Sequence, residues 1–313
     1  MGQAAFLVSA IVVSWNVLPL LRRCLCSLLA QHPPPCAVVV VDNASLDGSP
    51  EAVLAEFPGV RLFETGGNLG FAAGLNAGFR ASGRPYLLAL NPDTELRRGA
   101  LAAMLRLLER DPQIAVVAPR LLYPTGEEQP SRRGFPSRLT LFLESTPLQR
   151  IPGADRLLRR FYAGDRPSSH VQTVDWAVGA CLLLRASALA EVGGLDEGYF
   201  MYSEEVDLCR RLGQLGWQVA YEPAAVVVHH EAKSSDQAPT ARLIRFNRAK
   251  VRYAAKHFGS RWGGALRLYL LGAFLLQGAE EGAKLFLGRN PVLRRERLAS
   301  YRAVLAGGLR LTE

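Results

Sequence analysis

Residues 7–45 contain two apolar runs, Leu-Val-Ser-Ala-Ile-Val-Val-Ser at 7–14 and Ala-Val-Val-Val-Val at 37–41, and polar residues follow each run at once. A helical pattern with proline in its first turn lies between them at 19–30. Runs that are apolar at nearly every position are typical of parallel strands covered on both faces. This stretch therefore predicts a strand–helix–strand unit and a mostly parallel α/β sheet.

The same alternation continues along the chain. Further strands are predicted at 60–63, 86–90 and 114–118, with helices at 50–57, 72–81 and 99–110. The next segment, 124–169, is rich in proline, arginine and polar residues and is predicted to be a long loop or a short inserted hairpin. Regular structure then returns at 174–184, followed by helices at 186–192 and 204–215 and strands at 218–221 and 225–229.

Size and composition indicate one large core with room for a helical extension. The chain has 313 residues, of which 49% are hydrophobic and 21% charged, as in ordinary folded proteins. The apolar run at 6–15 has no basic residue before it and predicts a buried strand rather than a signal peptide. No stretch reaches the roughly 18 to 20 apolar residues of a membrane span. The odd set of cysteines lacks metal-site spacing and favours a reduced, cytosolic compartment; it comprises Cys24, Cys26, Cys36, Cys181 and Cys209.

Basic residues are concentrated towards the C-terminus. The net charge is +9, and from Arg242 onward the chain has 15 Lys and Arg residues against 4 Asp and Glu. After a polar linker at 233–239 this region is predicted to be helical. A solvated helical face explains the charges, and contact with an anionic membrane surface is the favoured functional interpretation. Nucleic acid is disfavoured as a partner because no nucleic-acid motif accompanies the charge.

Four consecutive predicted strands end in polar residues. Ligands of open α/β sheets bind beyond the carboxyl ends of the strands, so these clusters predict a single polar crevice. Taken alone, each cluster is also explained as a turn, a loop or a helix cap. The candidate residues are Ser14, Trp15, Asn16, Asp42, Asn43, Ser45, Asn68, Gly70, Asn91 and Asp93.

A carboxylate and an imidazole are candidate metal ligands. Asp93 follows an apolar strand and Pro92 directly, and one aspartate together with the oxygens of a diphosphate makes a site for Mg²⁺ or Mn²⁺. A helix-capping role for Asp93 is the alternative. His229 follows the apolar run at 225–228; a buried histidine is more often structural, although imidazole also binds Mn²⁺.

The acidic group Glu204-Glu205-Val206-Asp207 opens a predicted helix, where the helix dipole favours carboxylates. Pairing with Arg210 or Arg211 accounts for Asp207. It does not account for two adjacent glutamates, which predict a general base beside a substrate hydroxyl.

Taken together in their order along the chain, the polar clusters, the acidic group and the histidine resemble the sequence motifs of glycosyltransferase family 2, whose members are inverting enzymes of the GT-A fold. Within this family, the bacterial rhamnosyltransferase-like branch is the most similar. The resemblance covers roughly residues 8–258. The matching segments are IVVSWN at 11–16, VDNAS at 41–45, GNLGFAAG at 67–74, LNPDT at 90–94, WAVGACLLLR at 176–185, VGGLD at 192–196, FMYSEEVDL at 200–208 and VH at 228–229.

The resemblance implies roles for the candidate residues. Asp42 would read the nucleotide base, with help from residues near Trp15 and Asn68. Asp93 stands in the place of the family's metal-binding aspartate, and His229 in that of a histidine that often completes the metal site. The acceptor side would include Trp176, Gly179, Ala180 and Asp207.

The resemblance also places the catalytic base, with one departure from the family pattern. The base is usually the aspartate of a Glu-Asp pair; here the pair is Glu204-Glu205, so Glu205 takes the role. Misplacing a catalytic group by about 1 Å reduces the rate on the order of 100-fold, so we expect the helix to be set back in compensation. A non-catalytic or weakly active sugar-nucleotide-binding protein is the alternative.

By the same resemblance the donor is a dTDP- or UDP-sugar, with rhamnose from dTDP-rhamnose favoured, and the cofactor is Mg²⁺ or Mn²⁺. The basic helical region suggests an acceptor at the cytoplasmic face of a membrane, and the expected acceptor is a glycan or a polyprenyl-linked glycan. A catalytic domain at 1–235 would hold a nucleotide-sugar-binding part at about 1–120 and an acceptor-side part at about 170–235, followed by a basic helical extension at 236–313.

Two other enzyme classes fit the residues less well. A nucleotidyltransferase usually has a glycine-rich, basic phosphate loop after its first strand, which Ser14-Trp15-Asn16 does not supply. A dinucleotide-dependent oxidoreductase needs a G-x-G-x-x-G fingerprint, and the glycine run at 66–74 does not have that spacing.

Overall fold

A computed structural model describes residues 7–163, 166–231 and 237–311. The predicted linker residues 233–236 and the predicted domain boundary at 235 lie outside these ranges. The chain divides into two compact units. The first comprises the described residues of Met1–Phe135, Tyr162–Phe200 and Glu204–Ser234, and the second those of Pro136–Phe161, Met201–Ser203 and Ser235–Glu313.

A mixed sheet forms the centre of the first unit. Its strands are β1 (Val8–Ser14), β2 (Ala37–Asp42), β3 (Arg61–Glu64), β4 (Tyr86–Leu90), β5 (Thr94–Leu96), β6 (Ile114–Leu122), β7 (Glu128–Gln129), β9 (Gln172–Val174), β11 (Cys181–Arg185) and β12 (Gln218–His229). A separate two-stranded ribbon pairs β8 (Arg132–Arg133) with β10 (Trp176–Ala177). The helices of this unit are α1 (Leu18–Leu29), α2 (Ser49–Glu56), α3 (Phe71–Arg80), α4 (Ala100–Arg110), α7 (Ala186–Glu191) and α8 (Glu204–Gln214).

The sheet has the strand order β3-β2-β1-β4-β11-β6-β12-β5. The first four strands are mutually parallel, β11 is antiparallel to both of its neighbours, and β6 and β12 are parallel. The predicted α/β class with a mostly parallel sheet is thereby confirmed. The carboxyl ends of β1, β2 and β4 lie side by side at one edge.

Burial of both sheet faces accounts for the apolar strands. Every residue of β1 is buried, and α1 covers the sheet with Leu21, Cys24, Leu25 and Leu28. Full burial of an aliphatic side chain contributes about 1.5–3 kcal/mol, so this layered core dominates the stability of the unit. The strands and helices predicted between residues 7 and 118 are all present.

The observed strands differ in detail from the prediction in the second half of the sheet, and one strand was missed. The predicted strands at 218–221 and 225–229 form one strand, β12, with a bulge between Glu222 and Val226 where Pro223 lies; proline is tolerated in a strand at such bulges. The stretch at 174–184 is divided among β9, β10 and β11. The three-residue strand β5 was not predicted.

The predicted loop at 124–169 also contains regular structure. In the first unit it supplies β7 and β8. In the second unit it supplies α5 (Arg138–Leu143), a 3-10 helix (Pro147–Arg150) and α6 (Ala154–Phe161). The hydroxyl of Ser137 accepts a hydrogen bond from the amide of Thr140 and caps α5. Leu143, Ala154 and Leu158 form a small core with Leu148, which stabilises these short helices.

The remainder of the second unit is helical, as predicted, with α9 (Pro239–Phe258), α10 (Ser260–Phe286) and α11 (Pro291–Gly307). The ammonium of the buried Lys250 on α9 donates to the carbonyl of Glu144 at 2.6 Å and to its carboxylate at 3.0 Å. Tyr269 on α10 donates to the hydroxyl of Thr146 at 3.0 Å. Among the described residues, no helix has the length and apolar content that crossing a bilayer requires.

Candidate active site

The polar residues that follow the parallel strands are brought to one edge of the sheet. Ser14 at the end of β1 is in register with Asp42 at the end of β2, and Asp42 is in register with Glu64 at the end of β3. On the other side of β1, Val12 is in register with Leu90, the last residue of β4. The segments that begin at Ser14, Asp42 and Asn91 therefore leave the sheet next to one another.

Asp42 is buried and held in a small network. One of its carboxylate oxygens accepts a hydrogen bond from the Ser45 hydroxyl at 2.6 Å, and the other accepts from the Ser45 amide at 2.8 Å. The Ser45 hydroxyl also accepts from the backbone amide of Asn16 at 3.0 Å, and the side-chain Oδ1 of Asn16 accepts from the amide of Leu46 at 2.7 Å. Asn16 adopts a left-handed conformation, with φ of 53°, which asparagine tolerates. The half-buried Trp15 lies beside this network in the chain.

The glycine-rich loop after β3 is anchored at Gly70. The side-chain amide of Asn43 donates to the Gly70 carbonyl at 3.0 Å, and the side-chain oxygen of Asn68 accepts from the backbone amide of Gly70 at 3.1 Å. Gly70 has φ of +87°, and a Cβ at this position would overlap the backbone carbonyl of Phe200. Only glycine meets both conditions, so this loop depends on Gly70 to lie against the segment that precedes α8.

Asp93 and His229 lie together as a buried pair. The Nε2 atom of His229 is 3.5 Å from Oδ1 of Asp93, and both side chains are 6% exposed. The backbone holds them there, because β5 and β12 pair His229 with Thr94 and the amide of His230 donates to the Asp93 carbonyl at 2.9 Å. Two residues far apart in sequence are thus fixed by a strand ladder rather than by flexible side chains.

Gln129 orients the imidazole of His229. Its Oε1 atom lies 2.9 Å from Nδ1 of His229, and both side chains are buried. With Nδ1 donating to Gln129, the lone pair of the neutral ring is on Nε2, the atom that faces Asp93. A metal-binding histidine usually has its second nitrogen tied in this way.

The pair suits a divalent cation of the kind expected. A carboxylate oxygen and an imidazole nitrogen are both ligands of Mn²⁺, and Mg²⁺ accepts the carboxylate. Among the described residues, no group of three or more His, Cys, Asp and Glu side chains is arranged to hold a metal. Asp93 and His229 would therefore hold the ion together with oxygens that they do not themselves supply.

Glu204 and Glu205 begin α8 as two adjacent, largely buried carboxylates. In each, the Oε2 atom is buried and has no hydrogen-bond partner among the residues that the structure describes. Burial raises the pKa of Glu204 well above the ordinary range, and repulsion from Glu205 adds to the shift. Burial also raises the pKa of Glu205, although backbone amides at the start of the helix and at Gly179 and the charge of Arg133 oppose the shift.

The segment at 176–180, which was predicted to lie on the acceptor side, connects this carboxylate pair with the end of β4. Gly179 lies against the Glu205 side chain, where an added Cβ would be 3.4 Å from that of Glu205. The next residue, Ala180, accepts a hydrogen bond through its carbonyl from the amide of Asn91 at 2.9 Å. The indole of Trp176 donates to the carbonyl of Gly134 at 2.8 Å, which fixes the ribbon that carries Arg133.

Asp207 on α8 is paired with Arg211, as helical spacing predicts. Its side chain is fully buried, and its carboxylate accepts a hydrogen bond from Nε of Arg211 at 2.7 Å. The same guanidinium donates to the carbonyls of Val192 and Gly194 at 2.7 and 2.8 Å. Asp207 therefore organises the α8 region through its predicted pairing with an arginine, and its assignment to the acceptor side stays a prediction.

Gln129 and Arg133 were not predicted as site residues. Both lie in the segment at 124–169, where the sequence has weak periodicity and no motif. Gln129 lies on β7 and Arg133 on β8, and each of these strands has only two residues. Two residues are too few for a periodic pattern to emerge.

Comparison with known proteins identifies the family of the chain. The family model described as Glycosyl transferase family 2 matches residues 9–166. The chain is 33% identical over 287 residues to an N-acetylglucosaminyl-diphospho-decaprenol L-rhamnosyltransferase of Mycobacterium tuberculosis, which covers 85% of this chain and 90% of that protein. It is 27% identical to the rhamnosyltransferase WbbL of Escherichia coli over 57% of this chain and 64% of that protein.

Among solved structures, the chain is similar to a mannosyltransferase from Pyrobaculum calidifontis in complex with GDP-Man and Mn²⁺. The TM-score is 0.56 at 19% identity, with 96% of this chain and 85% of the other covered. This likeness concerns the fold, and it agrees with the expected GT-A architecture and C-terminal helical region. Family match, relatives and fold together show that the chain belongs to glycosyltransferase family 2.

Proposed function

We propose that this chain transfers L-rhamnose from dTDP-rhamnose, with inversion, to a hydroxyl of a lipid-linked glycan. The observation that carries the proposal is the partnerless, buried Oε2 atom of Glu205, on a residue that a chain of contacts links to the Asp93–His229 pair. Gly179 touches Glu205, Ala180 bonds Asn91, and Asp93 follows two residues later.

Glu205 is suited to act as the general base. A buried carboxylate oxygen without a donor has an unused acceptor position, and a substrate hydroxyl supplies the missing hydrogen bond. The raised pKa of Glu205 brings its basicity closer to the working pH, which strengthens general-base catalysis. The positive charge of Arg133 opposes this shift, since it favours the ionised carboxylate.

The proposed step balances in atoms and in total charge. Glu205 takes the proton of the acceptor hydroxyl while the hydroxyl oxygen bonds to the anomeric carbon from the face opposite the nucleotide. The bond between that carbon and the diphosphate oxygen breaks, and the diphosphate leaves with the electron pair. Base catalysis of this kind contributes roughly 100- to 10,000-fold to the rate.

The donor would lie along the carboxyl edge of β1, β2 and β4. Asp42 offers its carboxylate to an N–H of the nucleotide base, since a ligand can replace the hydrogen bonds from Ser45. Asp93 and His229 would hold Mg²⁺ or Mn²⁺, whose chemistry here is to neutralise the diphosphate as a Lewis acid. Asn68 and Gly70 shape the loop over the nucleotide.

The choice of sugar and acceptor rests on the relatives. The relative that spans most of the chain is named for rhamnosyl transfer to N-acetylglucosaminyl-diphospho-decaprenol, and a second relative is also a rhamnosyltransferase. A polyprenyl-linked acceptor implies work at a membrane surface, and the basic C-terminal region suits the anionic face of such a membrane.

Thermal stabilisation by a panel of dTDP- and UDP-sugars, with and without Mn²⁺, tests the proposal. A ligand at about 100 times its dissociation constant adds roughly 2.7 kcal/mol to the free energy of unfolding. We expect a metal-dependent rise in melting temperature with dTDP-rhamnose. A rise in melting temperature with UDP-sugars alone would show that the donor is a UDP-sugar and not dTDP-rhamnose. No rise with any sugar nucleotide would contradict the proposed function.

A further inference from the structure

The helix α10 is apolar on its solvent side as well as on its buried side. Its inner side buries Leu266, Leu270 and Phe274 within the second unit. Its outer side exposes large apolar residues from Leu268 to its last residue, Phe286: Leu268 is 67% exposed, Leu275 60%, Leu276 70% and Phe286 92%. A helix with apolar residues on every face is normally buried on every face. We therefore expect another surface to cover the outer side of α10.

These residues lie on one stripe. At 100° of rotation per residue, the side chains of Leu268, Leu275, Leu276, Ala279, Ala283 and Phe286 fall within an arc of about 100°. All six are exposed. We call this set the outer face of α10. The helix rises about 1.5 Å per residue, so the stripe extends along roughly 25–30 Å of its surface.

The charges of α10 avoid this face. Every residue of the helix is described, and its charged residues are Arg261, Arg267, Glu280, Glu281 and Lys284. Four of them lie outside the arc, and Glu281 is buried with Lys284 and Arg294 as ion-pair partners at 2.9 and 2.5 Å. The exception is Arg261, on the arc at the first turn. Arg289 is exposed just beyond the last turn, so an exposed arginine lies near each end.

We infer that the outer face of α10 docks on the surface of an anionic bilayer. An amphipathic arrangement of an apolar stripe and basic residues places a helix in the interface, with the stripe in the acyl boundary and the cations at the headgroups. Arg261 and Arg289 are long enough to reach headgroups from either end of the stripe. The inference rests on the proposed function only in expecting a membrane-borne acceptor.

Self-association is a poorer match for the same face. In an antiparallel pair of α10 helices centred on their midpoint, Arg261 of one copy would face Arg289 of the other at both ends. In a parallel pair, each arginine would face its own equivalent. Like charges in opposition disfavour both arrangements, whereas anionic lipid headgroups complement the two arginines.

Flotation with vesicles of equal parts phosphatidylglycerol and phosphatidylcholine tests the inference, because such vesicles contain neither donor nor acceptor. We expect the full chain to float with them at low salt and to float much less with phosphatidylcholine alone. The double substitution Leu275→Gln and Leu276→Gln should weaken partitioning about tenfold or more, since the apolar area buried in the bilayer is lost. Leu215→Gln, at an exposed leucine of the first unit, is the matched control and should float like the wild type.

Melting curves and light scattering on the same proteins make the outcome decisive. An unchanged melting temperature, and an unchanged shift with dTDP-rhamnose, would show that the double variant folds and that its loss of flotation belongs to the membrane surface. Flotation of the double variant like wild type would overturn the inference. So would a wild-type dimer that the double substitution separates and that does not float, since the outer face would then be an interface between copies.

Discussion

Oε1 of Gln129 lies 2.9 Å from Nδ1 of His229, while Nε2 of the same ring lies 3.5 Å from Oδ1 of Asp93. In the neutral ring, the first contact places the proton on Nδ1. The lone pair is then on Nε2, the atom that faces Asp93. One uncharged side chain from a short strand therefore prepares the pair that would hold the cation.

Replacing Gln129 with Leu should weaken Mn²⁺ binding without removing a ligand. The leucine leaves Nδ1 without an acceptor, so the ring can rotate or adopt the other tautomer, and losses of about 10–100-fold in metal affinity are typical for such partners. Electron paramagnetic resonance of free Mn²⁺, in the presence of dTDP, measures the affinity directly. Gln113→Leu, at an exposed glutamine, is the control, and an unchanged affinity in Gln129→Leu would exclude Gln129 as a positioning residue.

Asp93→Ala should abolish the metal-dependent part of donor binding. The substitution removes the carboxylate of the proposed ligand pair, and a buried imidazole alone does not compensate for its charge. Isothermal titration with dTDP-rhamnose, with and without Mn²⁺, separates the two contributions. The control Asp111→Ala removes a carboxylate after α4 and should keep the metal dependence of donor binding. If Asp93→Ala also kept that dependence, Asp93 would not be a metal ligand.

Gly70→Ala should destabilise the chain where Gly67→Ala does not. At Gly70 the new methyl group would overlap the carbonyl of Phe200 at a left-handed φ, whereas at Gly67 nothing lies within 4 Å. Overpacking and strain of this kind reduce the free energy of unfolding by roughly 1–3 kcal/mol. Urea denaturation measures the difference, and equal midpoints for the two variants would show that the Gly70 contact is not tight.

Glu204→Gln should stabilise the chain at neutral pH and leave it nearly unchanged in acid. The pKa of Glu204 is raised in the folded chain by burial and by Glu205, so the wild type loses stability as the pH rises from the unfolded pKa of about 4.3 through the folded one. The glutamine carries no charge and avoids this loss. Melting curves between about pH 4 and about pH 8, which is from the ordinary glutamate pKa upward, should show a gain in melting temperature that grows with pH. A gain independent of pH would contradict a raised pKa of Glu204.

The early sheet was predictable because each strand shows its burial directly. β1 and β2 are apolar at nearly every position and end at polar residues, so their type and direction followed from sequence alone. The helices α5 and α6 escaped prediction because each has at most 8 residues and proline lies nearby. Their stability comes from contacts among Leu143, Ala154 and Leu158, which periodicity over such short segments does not reveal.

The same distinction applies to the site. Asp93 and His229 were predicted from strand ends and from the family resemblance, since both follow apolar runs. Their partner Gln129 was not, because the contact depends on β7 pairing with β6, a tertiary event without a sequence signature. Asp207 was assigned to the acceptor side by its motif, although its pairing with Arg211 follows from simple helical spacing.

The central claim is that Glu205 removes the acceptor proton, and Glu205→Gln tests it most directly. The measurement is the rate of rhamnosyl transfer from dTDP-rhamnose to a polyprenyl-diphosphate-linked N-acetylglucosamine, alongside the donor dissociation constant of the same variant. We expect donor binding within about twofold of wild type and a rate lower by roughly 100- to 10,000-fold, since glutamine keeps the shape of the side chain but cannot take a proton. Transfer within about tenfold of the wild-type rate would contradict the claim and direct attention to Glu204 as the base.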